Sequence, residues 1–345
     1  MSIFGPNLGL TLAPIIALPL LSAAPLAVAA LPPVAVSTIS GATIVGAAMQ
    51  QSAPRTAATD VVDIPADRHD RPTVPVMIDT KGPYRFLIDT AAERTVLAKS
   101  VATGLGLQPT GRRTLMGIAG SRTVDIVAVD EVTLGRHSFY GLDAPLLDGY
   151  DIGAEGIVGL DSLQGQRVLI DFEHARMAVG EARALGGDSG FEIIVHARRR
   201  SGQLILTNAL VDGIRTDVVI DTGAENSIGN RALQKALERR HKSGQTQLVS
   251  VTGQQITADL AVAREVVLDN ITLSNTTIAF ADAPPFRKLG LDKLPALFLG
   301  MTQLKLFRRI AIDFAMREVL FDLSSPIGTT RSRPDWDVQP PSPGH

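Results

Sequence analysis

Most of the chain between residues 61 and 323 alternates apolar and polar positions over short runs, which is typical of half-buried β-strands. Two stretches, RRTLMGIAGSRTVDIVAVDEVTLG (112–135) and QTQLVSVTGQQITADLAVAREVVLD (245–269), each read as a strand, a glycine-bearing tip and a returning strand. They predict two β-hairpins. Helical periodicity is short and is clearest in NRALQKALERR (230–240). The pattern therefore predicts an all-β fold with short helices between the strands.

The same pattern of residues occurs twice along the chain. YRFLIDTAAERTVLAKSVA (84–102) aligns with TDVVIDTGAENSIGNRALQ (216–234), which matches Asp89 with Asp221. The hairpins follow at nearly constant spacing, since their tip glycines lie 31 residues after Asp89 and 32 residues after Asp221. A duplication of this length predicts two similar lobes related by a pseudo-twofold axis.

A third landmark completes each copy. GIVGLDSLQGQRVLIDF (156–172) corresponds to LFLGMTQLKLFRRIAIDF (297–314). The repeats divide the chain into an N-terminal lobe at 61–184, an inter-lobe linker at 185–190 and a C-terminal lobe at 191–323. The remaining predicted segments are an export segment at 1–31, a linker at 32–60 and a disordered tail at 324–345.

The tripeptide Ile-Asp-Thr occurs twice within a few residues, at 78–80 and at 88–90. Asp79 stands ahead of Lys81-Gly82-Pro83 and matches Asp212-Gly213 in the second copy, so it is predicted to be a turn residue. Asp89 is therefore the candidate for chemistry.

A carboxylate at the end of an apolar strand is costly to bury unless its charge is compensated. Two copies placed by a twofold axis bring both carboxylates to that axis. Like charges about 3 Å apart do not both ionise easily, so the pair shares one proton. The ionised member then takes a proton from water, while the neutral member donates to a substrate carbonyl. This chemistry hydrolyses an amide without a metal and without a covalent intermediate.

Residues 61–323 resemble the aspartic proteases, in particular the retroviral-type (retropepsin-like) proteases of bacteria. The signature apolar-apolar-Asp-Thr-Gly-Ala stands complete at 219–224, and an apolar-apolar-Gly element stands at 157–159 and 298–300. Aspartic proteases are themselves the standard example of two carboxylates that share one proton. The resemblance implies a bilobal acid-protease fold that acts on protein or peptide.

The resemblance also implies roles for single residues. Asp89 and Asp221 would be the catalytic pair, and each would be supported by the two residues that follow it, Thr90 and Ala91, and Thr222 and Gly223. The hairpin tips would be flaps that close over an extended peptide, and the residues expected to contact it are Ile118, Ala119, Gly120, Val251, Thr252 and Gly253. Glu93 and Glu225 fall where the family carries an acid that touches the substrate backbone, and they read equally well as exposed loop charges.

Ala91 departs from the signature, which has glycine at this position. Glycine is used where the backbone approaches something closely or adopts positive φ. The methyl group would crowd the peptide or push the carboxylates apart, or it would be tolerated at an ordinary negative φ. The sequence is therefore compatible with two functions, that of an active endopeptidase and that of a catalytically silent, peptide-binding relative.

Composition narrows the remaining function classes. The 345 residues carry a formal charge of −2 and no cysteine, so thiol catalysis, disulfides and zinc–thiolate sites are excluded, and no nucleic-acid partner is expected. The six histidines lack metal-type spacing, so neither metal nor cofactor is predicted.

Glycosidases also use paired carboxylates. The one tryptophan that could stack on a sugar, Trp336, lies in the predicted tail, so a glycosidase is not expected. The Asp-Ser-Gly at 188–190 lacks a preceding apolar strand and is read as linker.

The first 54 residues contain no charged side chain and no histidine, and residues 8–31 form an apolar run followed by two prolines. With AVA (27–29) as a cleavage site, this run predicts an export signal, although the segment before it lacks the usual basic residue. The alternatives are a retained membrane anchor and a start codon placed too early. We therefore expect an exported protein, periplasmic or secreted, that is monomeric because its two lobes pair within one chain.

Overall fold

The structure is a computed structural model that describes residues 61–63, 71–237 and 242–323. The export segment, the linker at 32–60 and the tail lie outside the described residues. No helix in the described ranges is long and apolar enough to cross a membrane.

The N-terminal lobe is a seven-stranded sheet in the order β2-β3-β8-β4-β7-β6-β5. The sheet curls because β2 pairs with β3 and also with β6. Its elements are β2 (Thr73–Ile78), β3 (Lys81–Ile88), β4 (Val96–Ala98), α1 (Lys99–Leu105), β5 (Pro109–Gly117), β6 (Gly120–Leu134), β7 (His137–Leu147), α2 (Gly149–Ile152), β8 (Gly156–Val158) and α3 (Leu160–Leu163).

The C-terminal lobe repeats this arrangement in the order β12-β13-β14-β19-β15-β18-β17-β16, with one additional strand, β12. Here β13 pairs with both β14 and β17. Its elements are β12 (Arg198–Arg200), β13 (Gln203–Val211), β14 (Ile214–Ile220), β15 (Ser227–Gly229), α4 (Arg231–Leu237), β16 (Lys242–Val249), β17 (Gln255–Leu268), β18 (Ile271–Phe280), α5 (Pro284–Lys288), β19 (Ala296–Leu299) and α6 (Met301–Leu304).

A six-stranded sheet joins the lobes, in the order β1-β10-β9-β20-β21-β11. Each lobe supplies three of its strands, which are β1 (Val61–Asp63), β9 (Arg167–Asp171), β10 (Arg176–Gly180), β11 (Ile193–His196), β20 (Arg309–Asp313) and β21 (Glu318–Asp322). The central pair, β9 and β20, is antiparallel, and every residue of both strands is buried. Within this pair, Arg167 Nε of β9 donates to Asp313 Oδ2 of β20 at 2.9 Å. The duplication thus folds as two lobes around one shared sheet, and the all-β, two-lobed fold is confirmed.

Both predicted hairpins are present. In the N-terminal lobe Gly117 pairs with Gly120 around the tip, and in the C-terminal lobe Val249 pairs with Gln255. Asp79 lies in the turn between β2 and β3 with a φ of 46°, and its Oδ1 accepts the N–H of Glu131 at 2.9 Å. Asp79 is therefore part of the turn, as the sequence predicts.

Each lobe buries the strand that leads to its candidate aspartate. β3 ends in the buried residues Phe86-Leu87-Ile88 and lies parallel to β8. β14 ends in the buried residues Val218-Val219-Ile220 and lies parallel to β19. Each fully buried side chain of this size contributes about 1.5–3 kcal/mol to folding. Strand ends packed in this way hold the loops that follow them in place.

Candidate active site

Asp89 and Asp221 follow directly on β3 and β14, at matching points of the two lobes. The N–H of Asp89 donates to the carbonyl oxygen of Val158 in β8 at 3.1 Å. The N–H of Asp221 donates to the carbonyl oxygen of Leu299 in β19 at 3.0 Å. The parallel neighbour therefore fixes the backbone of each aspartate.

The glycines of the repeated apolar-apolar-Gly element let this neighbour approach closely. An ideal Cβ built on Gly159 would lie 2.4 Å from the backbone of Arg94, and one built on Gly300 would lie 2.7 Å from the backbone of Asn226. Real Cβ atoms essentially never come within 3.0 Å of another heavy atom. Both glycines are thus required by space, since each packs on the loop that carries an aspartate.

The two carboxylates are oriented in the same way. In each lobe Oδ1 accepts hydrogen bonds from the backbone N–H groups of the second and third residues after the aspartate. These bonds are 2.8 Å long at Asp89 and 3.0 Å long at Asp221. Hydrogen bonds to a carboxylate favour its charged form, so they oppose the effect of burial.

The two loops are bound to each other by their threonines. The N–H of Thr90 donates to Thr222 Oγ1 at 3.1 Å, and the N–H of Thr222 donates to Thr90 Oγ1 at 3.2 Å. The hydroxyl groups in turn donate across the lobes, from Thr90 to Ile220 O at 2.8 Å and from Thr222 to Ile88 O at 2.7 Å. Both threonines are buried. Buried hydrogen bonds of this kind hold the two aspartates in one fixed arrangement.

The aspartates share one environment. Burial and, next in size, the charge of Asp89 raise the pKa of Asp221 from its ordinary value of 3.8 to about 8. Burial also raises the pKa of Asp89, against the backbone hydrogen bonds and the charge of Arg71. Asp221 is 7% exposed and Asp89 is half-buried. Burial thus favours the protonated form of both carboxyl groups, and Asp221, with a pKa of about 8, is the member that stays protonated at neutral pH.

Comparison with known proteins agrees with this geometry. A family model described as aspartyl protease matches residues 74–162 and 207–302, so that one matched region contains Asp89 and the other contains Asp221. The chain belongs to the aspartyl protease family. No curated protein matches the chain.

Ala91 and Gly223, the third residues of the two aspartyl protease motifs, differ in what surrounds them. An ideal Cβ on Gly223 would lie 2.3 Å from Asp89 Cγ, so the Asp89 carboxyl group is packed directly on the glycine. Ala91 carries the Cβ that Gly223 lacks, so the Asp221 carboxyl group cannot lie as close to it. Neither residue has a positive φ. At Gly223 the family glycine is thus required by space and not by backbone conformation.

The Ala91 side chain packs on the apolar wall, a buried cluster of the C-terminal lobe that includes Ile205, Val219, Ile228, Phe286, Leu289 and Phe298. The flap residue Ile118 packs on the same wall. The methyl group therefore has apolar partners in the opposite lobe, which is how the fold accommodates alanine in the motif.

Two further side chains hold the aspartyl protease loops, and the sequence interpretation missed both. Arg71 Nη1 donates to Gly223 O at 2.9 Å, and Gln203 Nε2 donates to Ala91 O at 2.6 Å. Each residue stands 18 positions before the aspartate of its own lobe and bonds the loop of the other lobe. Both are buried. The equal spacing could have been found in the sequence. However, the two positions hold different residue types, so a comparison of residue identities does not reveal it.

The flap tips contact each other. Arg122 Nη1, two residues after Gly120 at the tip of the N-terminal flap, donates to Thr252 O in the tip of the C-terminal flap at 3.0 Å. Gly120, with a φ of 143°, lies against the side chain of Gln254, and Gly253 lies against the carboxylate of Asp151 in α2. Each of these flap glycines thus allows a close contact with the opposite lobe.

The remaining predicted flap residues lie at the same tips. Thr252 is buried, Val251 packs on the main core and Ala119 is half-buried.

Glu93 and Glu225 lie at matching positions in different surroundings. The carboxylate of Glu93 pairs with Lys288 Nζ of α5 at 2.6 Å, across the lobes. Glu225 is exposed, and its carbonyl oxygen accepts the N–H and the hydroxyl of Thr302, both at 2.9 Å. The pairing with Lys288 places a cation beside the loop of the N-terminal lobe.

Two other clusters lie outside this site. Asp188, of the linker Asp-Ser-Gly, accepts a hydrogen bond from Arg167 at 2.7 Å. Asp171, Glu173 and His174 are near enough to one another to bind a metal ion. However, the carboxylate of Asp171 is already bonded to the backbone and ring nitrogens of His174 at 3.0 and 2.8 Å. The observed contacts are those of a hydrogen-bonded turn.

Proposed function

We propose that this protein is an aspartic endopeptidase in which Asp89 and Asp221 activate water for the hydrolysis of peptide bonds. The observation that carries the proposal is the meeting of two aspartates, the buried Asp221 and the half-buried Asp89, at a pair of threonines that bond across the lobes. A pair with one proton supplies a base and an acid at once.

The chemistry follows from the two raised pKa values. Asp89, the more exposed member, takes a proton from a water molecule that lies between the carboxyl groups. The water oxygen attacks the carbonyl carbon of the peptide, while Asp221 donates its proton to the carbonyl oxygen. Asp89 then donates the proton that it took from water to the peptide nitrogen, while Asp221 takes a proton from a hydroxyl group of the tetrahedral intermediate. The C–N bond breaks, the amine and the carboxylic acid are released, and Asp221 again carries the one proton of the pair. The backbone N–H groups at each Oδ1 keep both carboxylates oriented throughout.

The flaps supply the peptide-binding side of the proposal. Their tips meet through Arg122 and Thr252, and Ile118 packs on the apolar wall beside Ala91. An extended peptide that enters between the flaps and the aspartates would displace Ile118 from that wall. An apolar side chain of the substrate would then take the place of Ile118, because it can cover the same apolar surface of the wall.

The test is the digestion of an unstructured protein by the parent chain and by Asp89→Asn and Asp221→Asn. We expect the parent to cleave and each variant to lose activity by at least about 1,000-fold, since either change removes the acid–base pair. Asp79→Asn is the matched control, because Asn keeps the oxygen that accepts the Glu131 N–H in the turn. Full activity in Asp221→Asn would contradict the proposal.

A catalytically silent, peptide-binding relative is the second candidate, and it is favoured by the methyl group of Ala91 beside the aspartates. Ala91→Gly separates the two. An active parent should change little, because the methyl group already lies on the apolar wall. A parent that cleaves nothing, and gains activity in Ala91→Gly, would establish the second candidate.

We also propose that the protein is exported, on the strength of the apolar run at 8–31. Fractionation of cells that express the full chain, beside a chain without residues 1–31, tests this. Retention of the full chain in the cytoplasmic fraction would contradict it.

A further inference from the structure

The bonds from Arg71 and Gln203 form a reciprocal pair. Each side chain begins at the same distance before its own aspartate, crosses to the other lobe, and donates to the carbonyl oxygen of the third motif residue. One donor is a guanidinium group and the other is a neutral amide. The symmetry of the fold therefore places a donor at both positions, while the chain uses a different residue for each.

The residues that accept these bonds differ as well. Arg71 bonds Gly223, where a Cβ would meet the Asp89 carboxyl group. Gln203 bonds Ala91, where a Cβ is present and packs on the apolar wall. The glutamine therefore stands at the one loop that has to accommodate an extra methyl group.

Gln203 is not a favourable residue for stability alone. It is 4% exposed, and its Oε1 has no hydrogen-bond partner among the described residues. A buried acceptor without a partner costs stability, and an apolar side chain of similar length would avoid that cost. What the glutamine supplies is the donor Nε2, which lies 2.6 Å from Ala91 O.

We propose that Gln203 is a positioning residue for the aspartate pair, which holds the Ala91 peptide so that the methyl group packs on the apolar wall and not against Asp221. Gln203 thereby compensates for the loss of the motif glycine. The inference rests on the proposed function only in its activity readout, since the position of the loop is a property of the fold.

The test is a double-mutant cycle of Gln203→Met and Ala91→Gly. Methionine keeps the length and volume of the side chain and removes the donor. We expect Gln203→Met to lower kcat/KM at least tenfold in the Ala91 background, mostly through kcat, because the substrate-binding walls are unchanged. In the Ala91→Gly background the same substitution should lower kcat/KM by less than threefold. A mere structural anchor would give equal losses in both backgrounds, which would overturn the proposal.

A second readout does not depend on cleavage. The titration of the Asp89 and Asp221 carboxyl carbons by NMR should change in Gln203→Met and return toward the parent curve when Ala91→Gly is added. The charged side chains around the loops, Arg71, Glu93, Glu225 and Lys288, are the same in all four proteins. Identical titration in the parent and Gln203→Met would overturn the inference, whereas a parent that titrates as expected but cleaves nothing would count against the proposed function alone.

Gln108→Met is the control. Gln108 Nε2 also donates to a backbone carbonyl, that of Gly106 at 3.3 Å, and both residues follow α1, outside the aspartate loops. We expect this variant to match the parent in both readouts. A loss equal to that of Gln203→Met would show that any such substitution disturbs the fold, and it would overturn the assignment.

Discussion

Thr90 and Thr222 each donate a hydroxyl hydrogen to the strand that leads to the other aspartate, at Ile220 O and Ile88 O. Each also accepts the N–H of the other threonine. Four buried hydrogen bonds thus join the lobes directly beneath the carboxyl groups. A change in either threonine acts on both aspartates, because each loop is held by the other.

Replacement of Thr222 should therefore destabilise the whole molecule. Thr222→Val removes the hydroxyl group and leaves the Thr90 N–H and the Ile88 carbonyl buried without partners, which costs about 2–4 kcal/mol. Urea denaturation measures this loss. Thr222→Ser keeps the hydroxyl group and should lose less than about 1 kcal/mol. Equal stability of the Val variant and the parent would show that the crossed bonds do not hold the lobes.

Gly223→Ala should abolish activity, in contrast to the alanine that the N-terminal lobe tolerates. The new Cβ would lie 2.3 Å from Asp89 Cγ, so the carboxyl group has to move. We expect a loss in kcat/KM of at least about 100-fold, since small displacements of reacting groups are costly. Gly104→Ala is the control, because a Cβ there has no neighbour within 4 Å. Activity of Gly223→Ala within threefold of the parent would contradict the packing described here.

The rate of cleavage should follow a bell-shaped pH profile. Below the pKa of Asp89, which burial raises, the pair takes up a second proton and loses its base. Above about 8, the value to which burial and Asp89 raise the pKa of Asp221, the pair loses its acid. Activity is therefore expected from mildly acidic to neutral pH. Measurement of kcat/KM from pH 3 to 10 tests the profile, and an alkaline limb below pH 6 would contradict it.

Asp221→Asn should stabilise the protein near neutral pH. The folded state binds a proton that the unfolded chain has lost, so the stability of the parent falls as pH rises from about 4 to about 8. Asn carries no charge and keeps the oxygen that accepts two backbone N–H groups. Between pH 4 and pH 7 the stability of the variant should therefore gain on that of the parent by up to about 4 kcal/mol, at about 1.36 kcal/mol for each pH unit. Denaturation at both pH values measures this, and a less stable variant at pH 7 would contradict the raised pKa of Asp221.

The duplication is what made the meeting of Asp89 and Asp221 predictable from the sequence. Asp89 and Asp221 follow apolar strands at matching positions, and a twofold repeat of such a strand determines that the two ends meet. The hairpin tips could be predicted as well, since a glycine between two strands of alternating pattern is a local signal. These features depend on short-range patterns, which can be read from a single sequence.

The shared sheet and the paired donors were not predictable in the same way. β1 and β11 have three and four residues, which is too short for a periodic signal. The pairing of β9 with β20 joins residues of different lobes, and nothing local specifies it. Arg71 and Gln203 occupy matching positions of the two lobes but are different residue types, so a comparison of residue identities does not find them. The direction of the Ala91 methyl group depends on the packing of the opposite lobe.

The continuous sheet through β9 and β20 has a consequence for the assembly of the aspartate pair. Because one polypeptide supplies both aspartates and both halves of the sheet that joins them, dilution cannot separate the two acids. The pair is present in every folded molecule at any concentration, so its assembly depends on the folding of one chain and not on the meeting of two.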